Sequence, residues 1–419
     1  MAFIPCASRC WVAAAAILAW AAVGAELLAA GPPAFQGLGV LPGSRFGSFA
    51  RAISDDGTAV TGNSDQADLG GSTFMAYRWQ AGAMIPLGDL PGGANFAESG
   101  GISADGSVAA GMSFSFNGTE AFRWEGGVMT GVGDLPGGVF YSHAFDVSGD
   151  GSSVVGLSRT EVTDYPFRWK DGVMINLSEG FDGTPPGGIA TAASHDGEVV
   201  VGQAAGRPFR WDHGMMELFK LPPGSLFGGA AAVSPDGQIV VGTITFDAGG
   251  GATTKRAYLW RKGVLTILGD LRGNALANGA EDVSADGNVV VGTTNTPSGG
   301  QAFIWTPAGG IRPVRDVLVE DFNLDLTGWQ LHEANGVSAD GLTIAGTGRN
   351  PAGRREAWLA HIGCVAPGDF NNDGRRDGGD VQGFVRCLLT GLGCGCGDMD
   401  GDDAVGPSDV EPFVAALLD

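Results

Sequence analysis

The chain has few charged side chains, and basic ones are especially scarce. Asp, Glu, Lys and Arg make up 17% of its 419 residues, and 24 Lys and Arg stand against 46 Asp and Glu. The net charge of −22 argues against a nucleic-acid partner and against an anionic membrane surface, because both attract basic patches. Such acidity fits an extracellular protein or one that collects cations.

Cysteine is also scarce, with two of the six in the first ten residues and four after position 363. In an exported protein, four cysteines within a small acidic module indicate disulfides. Cys394 and Cys396 are too close in sequence to bridge each other comfortably, so each would pair with Cys364 or Cys387. A zinc site is the weaker alternative, because the chain lacks a paired C-x-x-C pattern.

The first 30 residues have the pattern of a secretory signal peptide. Arg9 supplies the positive charge, an apolar run over 10–22 follows, and small residues ending at Ala25 and at Ala30 offer two cleavage sites. The alternative is an uncleaved membrane anchor, but Glu26 interrupts that segment and its alanines are weakly apolar. We therefore predict a secreted or cell-surface protein with no membrane contact after cleavage.

Internal repetition dominates the middle of the chain. Ser-x-Asp-Gly followed by a β-branched run occurs seven times, with spacings of 49, 45, 46, 40, 50 and 54 residues. Its glycines are Gly57, Gly106, Gly151, Gly197, Gly237, Gly287 and Gly341. Asp-Gly between Val- and Ile-rich runs predicts a hairpin, and a second hairpin follows around the motif AFRW. Four strands per unit are the content of one propeller blade.

The two ends of the repeat region complement each other. The last unit stops after its third strand, at Ile362, while residues 35–43 (FQGLGVLPG) match the fourth-strand motif LGDLPGG of residues 87–93. A spare strand at the start and a missing one at the end predict a closed ring, in which the N-terminal strand completes the last blade. We predict an all-β, seven-bladed propeller over 31–363, with a β-solenoid or an open sandwich array as alternatives.

The wording AFRW…G.M..LG.LPGG…A..VS.DG..VVG resembles the bacterial extracellular HAF repeat family over residues 35–362. The resemblance implies a surface or extracellular location and a β-repeat fold. It implies no established activity, because the family is defined by its sequence pattern.

An acidic segment near the C-terminus has the ligand spacing of a twelve-residue calcium loop. In GDFNNDGRRDGGD, oxygen ligands recur at positions 1, 3, 5, 9 and 12, Gly stands at position 6, and position 7 offers its carbonyl. The predicted ligands are Asp369, Asn371, Asp373, Arg375, Asp377 and Asp380. The alternative is an Asp- and Gly-rich turn without metal.

A second segment, GDMDGDDAVGPSD, repeats this arrangement 29 residues later. Asp403 replaces Gly at position 6, and Gly406 offers no side chain at position 9. Asp tolerates the left-handed conformation, and water can supply the missing ligand. The predicted ligands are Asp398, Asp400, Asp402, Ala404 through its carbonyl, and Asp409. The cofactor is therefore calcium, with about two ions in the module.

An apolar stripe with the spacing of one helix face follows each loop. The stripes are Val381, Phe384, Val385, Leu388 and Leu389, and Val410, Phe413, Val414, Leu417 and Leu418. Two helices with one apolar face each are expected to pack on each other. Metal and disulfides would stabilise so small a core.

Two loop–helix units without entering helices, with Asp at position 12, resemble a type I dockerin over residues 368–419. The resemblance implies that the module docks its carrier protein onto a cohesin-like partner. Recognition in that family uses loop positions 10 and 11, here Gly378-Gly379 and Pro407-Ser408, which are not the hydroxyl pairs of well-known cellulosomal dockerins. We expect a small α-helical domain of two EF-hand-like loops over 364–419.

Dockerins often accompany polysaccharide-degrading enzymes, and a catalytic site should break the repeat symmetry. The repeated Asp89, Asp134 and Asp270 are therefore interpreted as turn or cap residues. Non-repeated candidates are His143, Asp146, His195, Glu281, Asp282, His332 and Glu333. They are scattered through four units without a recognisable pattern, so each is interpreted as a solvated loop residue.

Arginine recurs at the third position of AFRW in four consecutive units: Arg78, Arg123, Arg168 and Arg210. Such a half-ring of cations would suit an acidic glycan. The favoured interpretation is that each Arg pairs with a neighbouring Asp.

The sequence thus predicts a secreted, non-catalytic binding or scaffold protein. A signal peptide (1–30) precedes a repeat propeller (31–363) and a calcium-stabilised docking module (364–419). No catalytic or cofactor-binding residue is assigned, and a glycan or a protein is the expected ligand of the propeller face. The alternative is an extracellular carbohydrate-active enzyme, a glycosidase or polysaccharide lyase, carrying the same module.

Overall fold

The computed structural model describes residues 33–418, except for 45–46, 67–72, 180, 182–183, 272–276, 298, 308, 364–366, 371–375, 391–395 and 401–404. The predicted signal peptide over 1–30 lies outside these residues. Within the described ranges, no helix is long and apolar enough to span a membrane.

Short antiparallel strands form seven four-stranded units, which are the blades of a β-propeller. Blade 1 has β2 Ser48–Ile53, β3 Ala59–Gln66, β4 Thr73–Gln80 and β5 Ala83–Pro86. Blade 2 has β6 Gly92–Ile102, β7 Val108–Ser115, β8 Gly118–Glu125 and β9 Val128–Gly131. Blade 3 has β10 Ser142–Val147, β11 Ser153–Arg159, β12 Asp164–Lys170 and β13 Val173–Asn176. Blade 4 has β14 Gly188–Ala193, β15 Val199–Ala204, β16 Arg207–Asp212 and β17 Met215–Leu218.

The remaining blades follow the same order. Blade 5 has β18 Ser225–Val233, β19 Ile239–Gly249, β20 Ala252–Arg261 and β21 Val264–Ile267. Blade 6 has β22 Ala277–Val283, β23 Val290–Thr296, β24 Gly299–Thr306 and β25 Gly310–Pro313. Blade 7 has β26 Gln330–Val337, β27 Thr343–Arg349, β28 Arg355–His361 and β1 Ala34–Gly37. First strands of adjacent blades contact each other all the way round, from β2 through β26 and back to β2, so the ring is closed.

The N-terminal strand closes the ring, as the sequence predicts. β1 pairs antiparallel with β28, with Gly37 opposite Trp358. Trp358 is fully buried, and the ring of Phe35 lies 6.0 Å from it. The last blade therefore holds strands from both ends of the repeat region.

The Ser-x-Asp-Gly motif forms the turn between the first and second strands of every blade. In blade 1, Ser54 Oγ donates to Asp56 Oδ1 at 2.5 Å and accepts the backbone N–H of Ala59 at 3.0 Å. Gly57 has φ +71°, a conformation that favours Gly. The same Ser-to-Asp bond recurs in the other six blades. We call this end of the propeller the turn face, and the opposite end, where hairpins join second to third strands, the hairpin face.

The glycine that ends each β-branched run is required by close packing. In register, Gly111 lies opposite Phe122 and Gly346 lies opposite Trp358. A Cβ on either glycine would collide with that ring and with a backbone carbonyl of the first strand. Trp358 thus takes the place of the repeated aromatic residue, as the sequence predicts. The cores of the propeller lie between successive blades, as in the cluster shared by blades 2 and 3.

One element in the link from blade 6 to blade 7 was not predicted. A short α-helix, α1 Val314–Asp316, continues into a π-helical turn over Val317–Asp321. Val314, Val317 and Leu318 are buried in the core of the last blade. Arg312 holds the turn through an ion pair with Asp321 at 2.6 Å.

Two helices follow the acidic loops, α2 Val381–Thr390 and α3 Val410–Ala416. Phe384 and Phe413 are buried and stacked, with ring centroids 4.0 Å apart, and Phe370 meets both rings edge-on. The predicted packing of the two helices is confirmed at this aromatic pair. Other members of the stripes are exposed: Val381, Val385, Leu388, Leu389, Val410, Val414 and Leu418.

Candidate functional site

The seven first strands surround a central channel and share one irregularity. In every blade, the pairing between first and second strands shifts near the third residue before the turn Ser. Such a β-bulge leaves a residue unpaired and re-aims its side chain. We call these seven residues the bulge ring: Arg51, Gly100, Phe145, Thr191, Ala231, Glu281 and Asn335. All seven line the channel.

The bulge ring varies between blades while its surroundings are constant. The preceding residue is Ala or Ser in all seven blades and is buried. The bulge ring itself contains a cation, a carboxyl group, an amide, a hydroxyl, an aromatic ring and two small residues. The repeat therefore keeps the scaffold uniform and changes the chemistry at the channel wall.

The polar members of the bulge ring are adjacent. Glu281, Asn335 and Arg51 belong to blades 6, 7 and 1, which are consecutive because the ring closes between blades 7 and 1. Blades 2 to 5 contribute the aromatic Phe145 and three small residues, Gly100, Thr191 and Ala231. Within the bulge ring, one side of the channel is therefore polar, and the facing side is small or apolar.

Two cavities, both lined by the bulge ring, occupy the channel. The cavity of about 160 Å³ lies toward the turn face, where Asp55 and His195 also line it. The cavity of about 380 Å³ lies toward the hairpin face, where Glu98 and His143 join the bulge ring. The larger volume falls within the roughly 300–1,000 Å³ of small-molecule sites.

Three polar groups of the bulge ring lack hydrogen-bond partners within the described residues. Asn335 Oδ1 is buried and accepts no hydrogen bond. The described structure also contains no ion pair or hydrogen bond to the Arg51 guanidinium or the Glu281 carboxyl. A buried acceptor without a donor is unfavourable, so Asn335 is poised for a ligand or water.

Confinement in the channel shifts the pKa of two of its side chains. Burial, and then the nearby Glu333 charge, raise the pKa of Glu281 to about 7. The Glu281 side chain is nevertheless accessible from the cavity. Burial, and then the Arg51 charge, lower the pKa of His143 to about 4. His143 is therefore neutral at neutral pH, and Glu281 is partly protonated there.

Asp146 and Asp282 tie adjacent blades together. Asp146 Oδ2 accepts the N–H of Ala193 in the next blade at 3.0 Å, and Asp282 Oδ2 accepts the N–H of Val337 at 2.8 Å. Burial raises the pKa of each carboxyl to about 7, against the lowering effect of these hydrogen bonds. Both residues therefore act first as structural links.

The interpretation of the non-repeated candidates as solvated loop residues is wrong for most of them. His143 and Asp146 lie in β10, Glu281 and Asp282 lie in β22, and the described strand β26 contains both His332 and Glu333. Only His195 lies in a turn, and it lines the narrower cavity. The channel thus gathers His143, Asp146, His195, Glu281 and Asp282 from three blades.

Sequence reasoning missed Arg51, Glu98 and Asn335, which line the wider cavity. A signal for two of them was present. Arg51 and Asn335 stand at the one repeat position, three residues before the turn Ser, where the residue type changes in every unit.

The repeated arginines are structural, as favoured, but their main partner is not an Asp. Arg123 Nε donates to the carbonyl of Gly151 in the next blade at 2.9 Å, and Arg210 does the same to Gly237 at 3.1 Å. Each also pairs with an acid two residues later, Glu125 or Asp212. Arg168 differs and pairs with Glu198. The bonds to Gly151, Gly237 and Glu198 hold successive blades together.

The repeated Asp270 also has structural partners. Its carboxylate pairs with Arg256 at 2.6 Å and accepts from Asn278 Nδ2 at 3.2 Å.

The two acidic loops near the C-terminus hold their last carboxylate in the same way. Asp380 accepts the N–H of Phe370 and of Asp377, both at 2.8 Å. Asp409 accepts the N–H of Met399 and of Gly406, both at 2.7 Å. Loop positions 2 and 9 are therefore bound to position 12 in both copies.

Three predicted ligands of the second loop converge. Carboxylate oxygens of Asp398, Asp400 and Asp409 lie within 4.8 Å of one another. Burial opposes ionisation of Asp409, but its backbone hydrogen bonds outweigh it and lower the pKa, so the carboxylate stays charged. In the first loop Asp369 and Asp380 are buried and Asp377 is exposed. The predicted ligands Asn371, Asp373, Arg375, Asp402 and Ala404 lie outside the described residues.

No protein-family model matches this chain, and no curated protein resembles it in sequence. Among solved structures, it is similar to the β-propeller domain of the Trilobed protease from Pyrococcus furiosus, at 13% identity and TM-score 0.46, over 76% of this chain and 94% of that one. It is also similar to an oligogalacturonate lyase from Vibrio parahaemolyticus, at 10% identity and TM-score 0.46, over 79% and 97%.

A third similar structure is TolB from Acinetobacter baumannii, at 13% identity and TM-score 0.41. The match covers 60% of this chain and 62% of TolB, which is less than two thirds of that protein. At such low identities, likeness concerns the fold alone. The strand pairing of the chain itself therefore carries the assignment as a seven-bladed propeller.

Proposed function

We propose that this chain is a secreted, non-catalytic binding protein. Its propeller would hold a small ligand in the central channel, and its C-terminal module would attach it to a partner. The observation that carries this proposal is the bulge ring, where seven repeated strands bring unlike side chains to one cavity. A purely structural ring has no need of an unsatisfied amide and a free guanidinium at its axis.

The test of binding is a thermal-shift screen of the full chain. The compounds are a panel of soluble oligosaccharides, amino acids, nucleotides and organic acids. We expect at least one compound to raise the melting temperature of the wild type, because a ligand that binds only the folded state stabilises it. The double variant Arg51→Met, Asn335→Ala should lose that shift. A compound that stabilises both proteins equally, or no stabilising compound at all, would contradict the proposal.

The alternative is a carbohydrate-active enzyme, and one observation favours it. Glu281 has a pKa of about 7, which suits a general acid. Against it, Asp146 and Asp282 use their carboxylates to bind neighbouring blades, which leaves them unsuited as a second catalytic group. Incubation with a polysaccharide panel separates the two functions: new reducing ends that disappear in Glu281→Gln would establish the enzyme.

For the C-terminal module we propose two calcium-binding loops. The chemistry of the donor set supports this, because each loop offers carboxylates and a carbonyl, the hard oxygen ligands that calcium prefers. The convergence of Asp398, Asp400 and Asp409 supports it further. Calcium would neutralise these like charges and fix the entry to α3, and the first loop would do the same for α2.

We also propose that the module is cross-linked between Cys387 and Cys396. Both side chains are buried. A Cβ placed on Gly397, next to Cys396, would lie 3.0 Å from Cys387 Sγ, which brings the two cysteines into the same region. Cys364 and Cys394 lie outside the described residues.

The proposed docking surface comprises the exposed apolar residues of α2 and α3, including Val385, Leu389 and Val414. Exposed apolar patches rimmed by polar residues mark interaction sites. A cohesin-like module is the expected partner. Surface plasmon resonance against immobilised cohesin modules should give a signal in calcium that disappears in chelator, and a signal equal in both conditions would refute calcium-dependent docking.

A further inference from the structure

We propose that the channel binds a neutral carbohydrate, with hydroxyl groups on Arg51, Asn335 and Glu281 and the carbon–hydrogen face of a sugar ring against Phe145. This inference rests on the proposed binding function and adds the ligand class. It is carried by how polar and apolar side chains are distributed around the channel.

The polar wall matches adjacent hydroxyl groups. A sugar hydroxyl both donates and accepts hydrogen bonds. Two adjacent hydroxyl groups can therefore bond to one planar side-chain group that offers two donors or two acceptors. The Arg51 guanidinium offers donors in a fixed fork, the Asn335 amide offers both a donor and an acceptor, and Glu281 offers two oxygens. These groups stand on three consecutive blades, so they are fixed by strands rather than by loops.

The unmade hydrogen bonds of these three side chains also fit a ligand that carries hydroxyl groups. Asn335 Oδ1 is buried without a donor, and an O–H group from the ligand would supply one. Among the described residues, no hydrogen bond or ion pair to Arg51 or Glu281 has to break before a ligand binds. Preorganised groups of this kind lower the entropic cost of binding.

The facing wall suits the apolar face of a sugar ring. Phe145 is stacked on His143 with ring centroids 4.3 Å apart and planes 25° apart, which restricts its orientation. Its neighbours in the bulge ring, Gly100 and Thr191, are small, as is Ala231 in blade 5, and together they leave space before it. Aromatic rings bury much apolar area with little loss of side-chain freedom.

Charge favours a neutral ligand over a charged one. An anion attracted to Arg51 would meet Glu98 and Glu281 on the same cavity. A cation attracted to those carboxyl groups would meet Arg51. A bound metal ion is not indicated, because among the described residues only the C-terminal Asp398, Asp400 and Asp409 form a group of three suitable ligands.

The hairpin face, toward which the wider cavity lies, also carries apolar side chains that would extend such a site. A row of aromatic rings, Phe49, Phe74, Phe96 and Phe114, has successive centroid distances of 6.0, 6.4 and 5.0 Å. It runs between blades 1 and 2 on the side of the hairpin face. Exposed apolar side chains at that face include Val40, Phe116, Val139 and Val162 in the connections, and Leu226 and Phe227 at the start of β18.

The experiment is isothermal titration of the full chain with two panels. One panel contains neutral hexose, pentose and N-acetylhexosamine oligosaccharides, and the other contains amino acids, nucleotides, polyamines and uronic-acid oligomers. The channel variants are Asn335→Ala and Arg51→Met. Their matched controls are Asn117→Ala and Arg354→Met, which replace the same residue types at exposed positions of hairpins. Melting temperatures of all four variants show that each is folded.

We expect a neutral oligosaccharide to bind the wild type and both controls. Each channel variant should weaken that binding by about tenfold or more, because it removes hydrogen bonds to a desolvated ligand. Binding of a charged compound that is lost in the same variants would overturn the carbohydrate inference and leave the proposed function standing. No binding from either panel, or binding that survives both channel variants, would overturn both.

Discussion

The buried carboxyl group of Asp282 permits a quantitative prediction for the variant Asp282→Asn. Both of its oxygens accept backbone N–H groups, from Val283 and from Val337, at 2.8 Å. Burial raises its pKa from 3.8 to about 7. In the unfolded chain the carboxyl group returns to its ordinary pKa. Between about pH 4 and about pH 7 the folded state therefore binds the extra proton.

The proton bound by the folded state fixes the direction in which stability changes with pH. The free energy of unfolding of the wild type should fall as pH rises through that window, because the folded state must give up a proton that it holds more tightly. A rise from 3.8 to about 7 corresponds to about 4 kcal/mol, at roughly 1.4 kcal/mol per pKa unit. Asn does not titrate, and losing one of the two acceptors costs about 1–3 kcal/mol at every pH.

Asp282→Asn should therefore be less stable than the wild type near pH 4 and more stable near pH 8, with a crossing between about pH 4.5 and about pH 6. Urea unfolding followed by tryptophan fluorescence, at fixed calcium concentration, measures the difference. Asp105→Asn is the control with the opposite sign, because hydrogen bonds from Ser107 lower the pKa of Asp105. The stability that ionised Asp105 contributes to the wild type is lost as pH falls. Parallel pH curves for the wild type and Asp282→Asn would refute the reasoning.

Three further predictions concern the frame of the molecule. A Cβ at Gly101 would lie 2.7 Å from the backbone Cα of Asp146, so Gly101→Ala should lower the free energy of unfolding by about 2 kcal/mol. The control Gly229→Ala has room for a methyl group and should change the free energy of unfolding little. Equal losses in the two variants would contradict this prediction. Deleting residues 33–40, which include β1, should lower the melting temperature of the propeller, because blade 7 would lose its outer strand; an unchanged melting curve would contradict closure. Chelator should lower the melting temperature of the C-terminal module, and Asp369→Ala should remove most of the calcium effect; an unchanged curve in both tests would contradict the metal.

The ring itself could be predicted from the sequence because its signals are local and repeated. Asp-Gly turns and alternating β-branched runs define hairpins, and each Gly stands opposite an aromatic residue in register. The complementary strands at the two ends then follow by counting. The helical segment at 314–321 could not be predicted, because its short apolar pattern acquires meaning only when Val314, Val317 and Leu318 pack in the last blade.

The channel could be predicted only in part. Breaking of the repeat symmetry singled out Glu281, His143 and Asp146 as candidates, but we interpreted each as a solvated loop residue, because their convergence depends on ring closure. The seven bulges were also unpredicted, because a bulge changes which face a side chain occupies without changing the residue pattern. Arg51 and Asn335 were missed for this reason.

The acidic C-terminal module could likewise be predicted only in part. The helices and the packing of Phe384 on Phe413 follow from their spacing, but spacing alone does not tell which members of an apolar stripe stay exposed. Leu389 and Val414 belong to those stripes and remain exposed.

The central claim is that ligand binds within the channel, and a variant that fills the channel tests it most directly. Ala231 lines both cavities, so Ala231→Trp should occupy the space without disturbing the polar wall. The control Ala83→Trp adds the same ring at an exposed outer strand. Titration with the tightest-binding compound of the two panels should give no heat with Ala231→Trp and wild-type affinity with the control. Wild-type affinity in the filled channel would contradict the account.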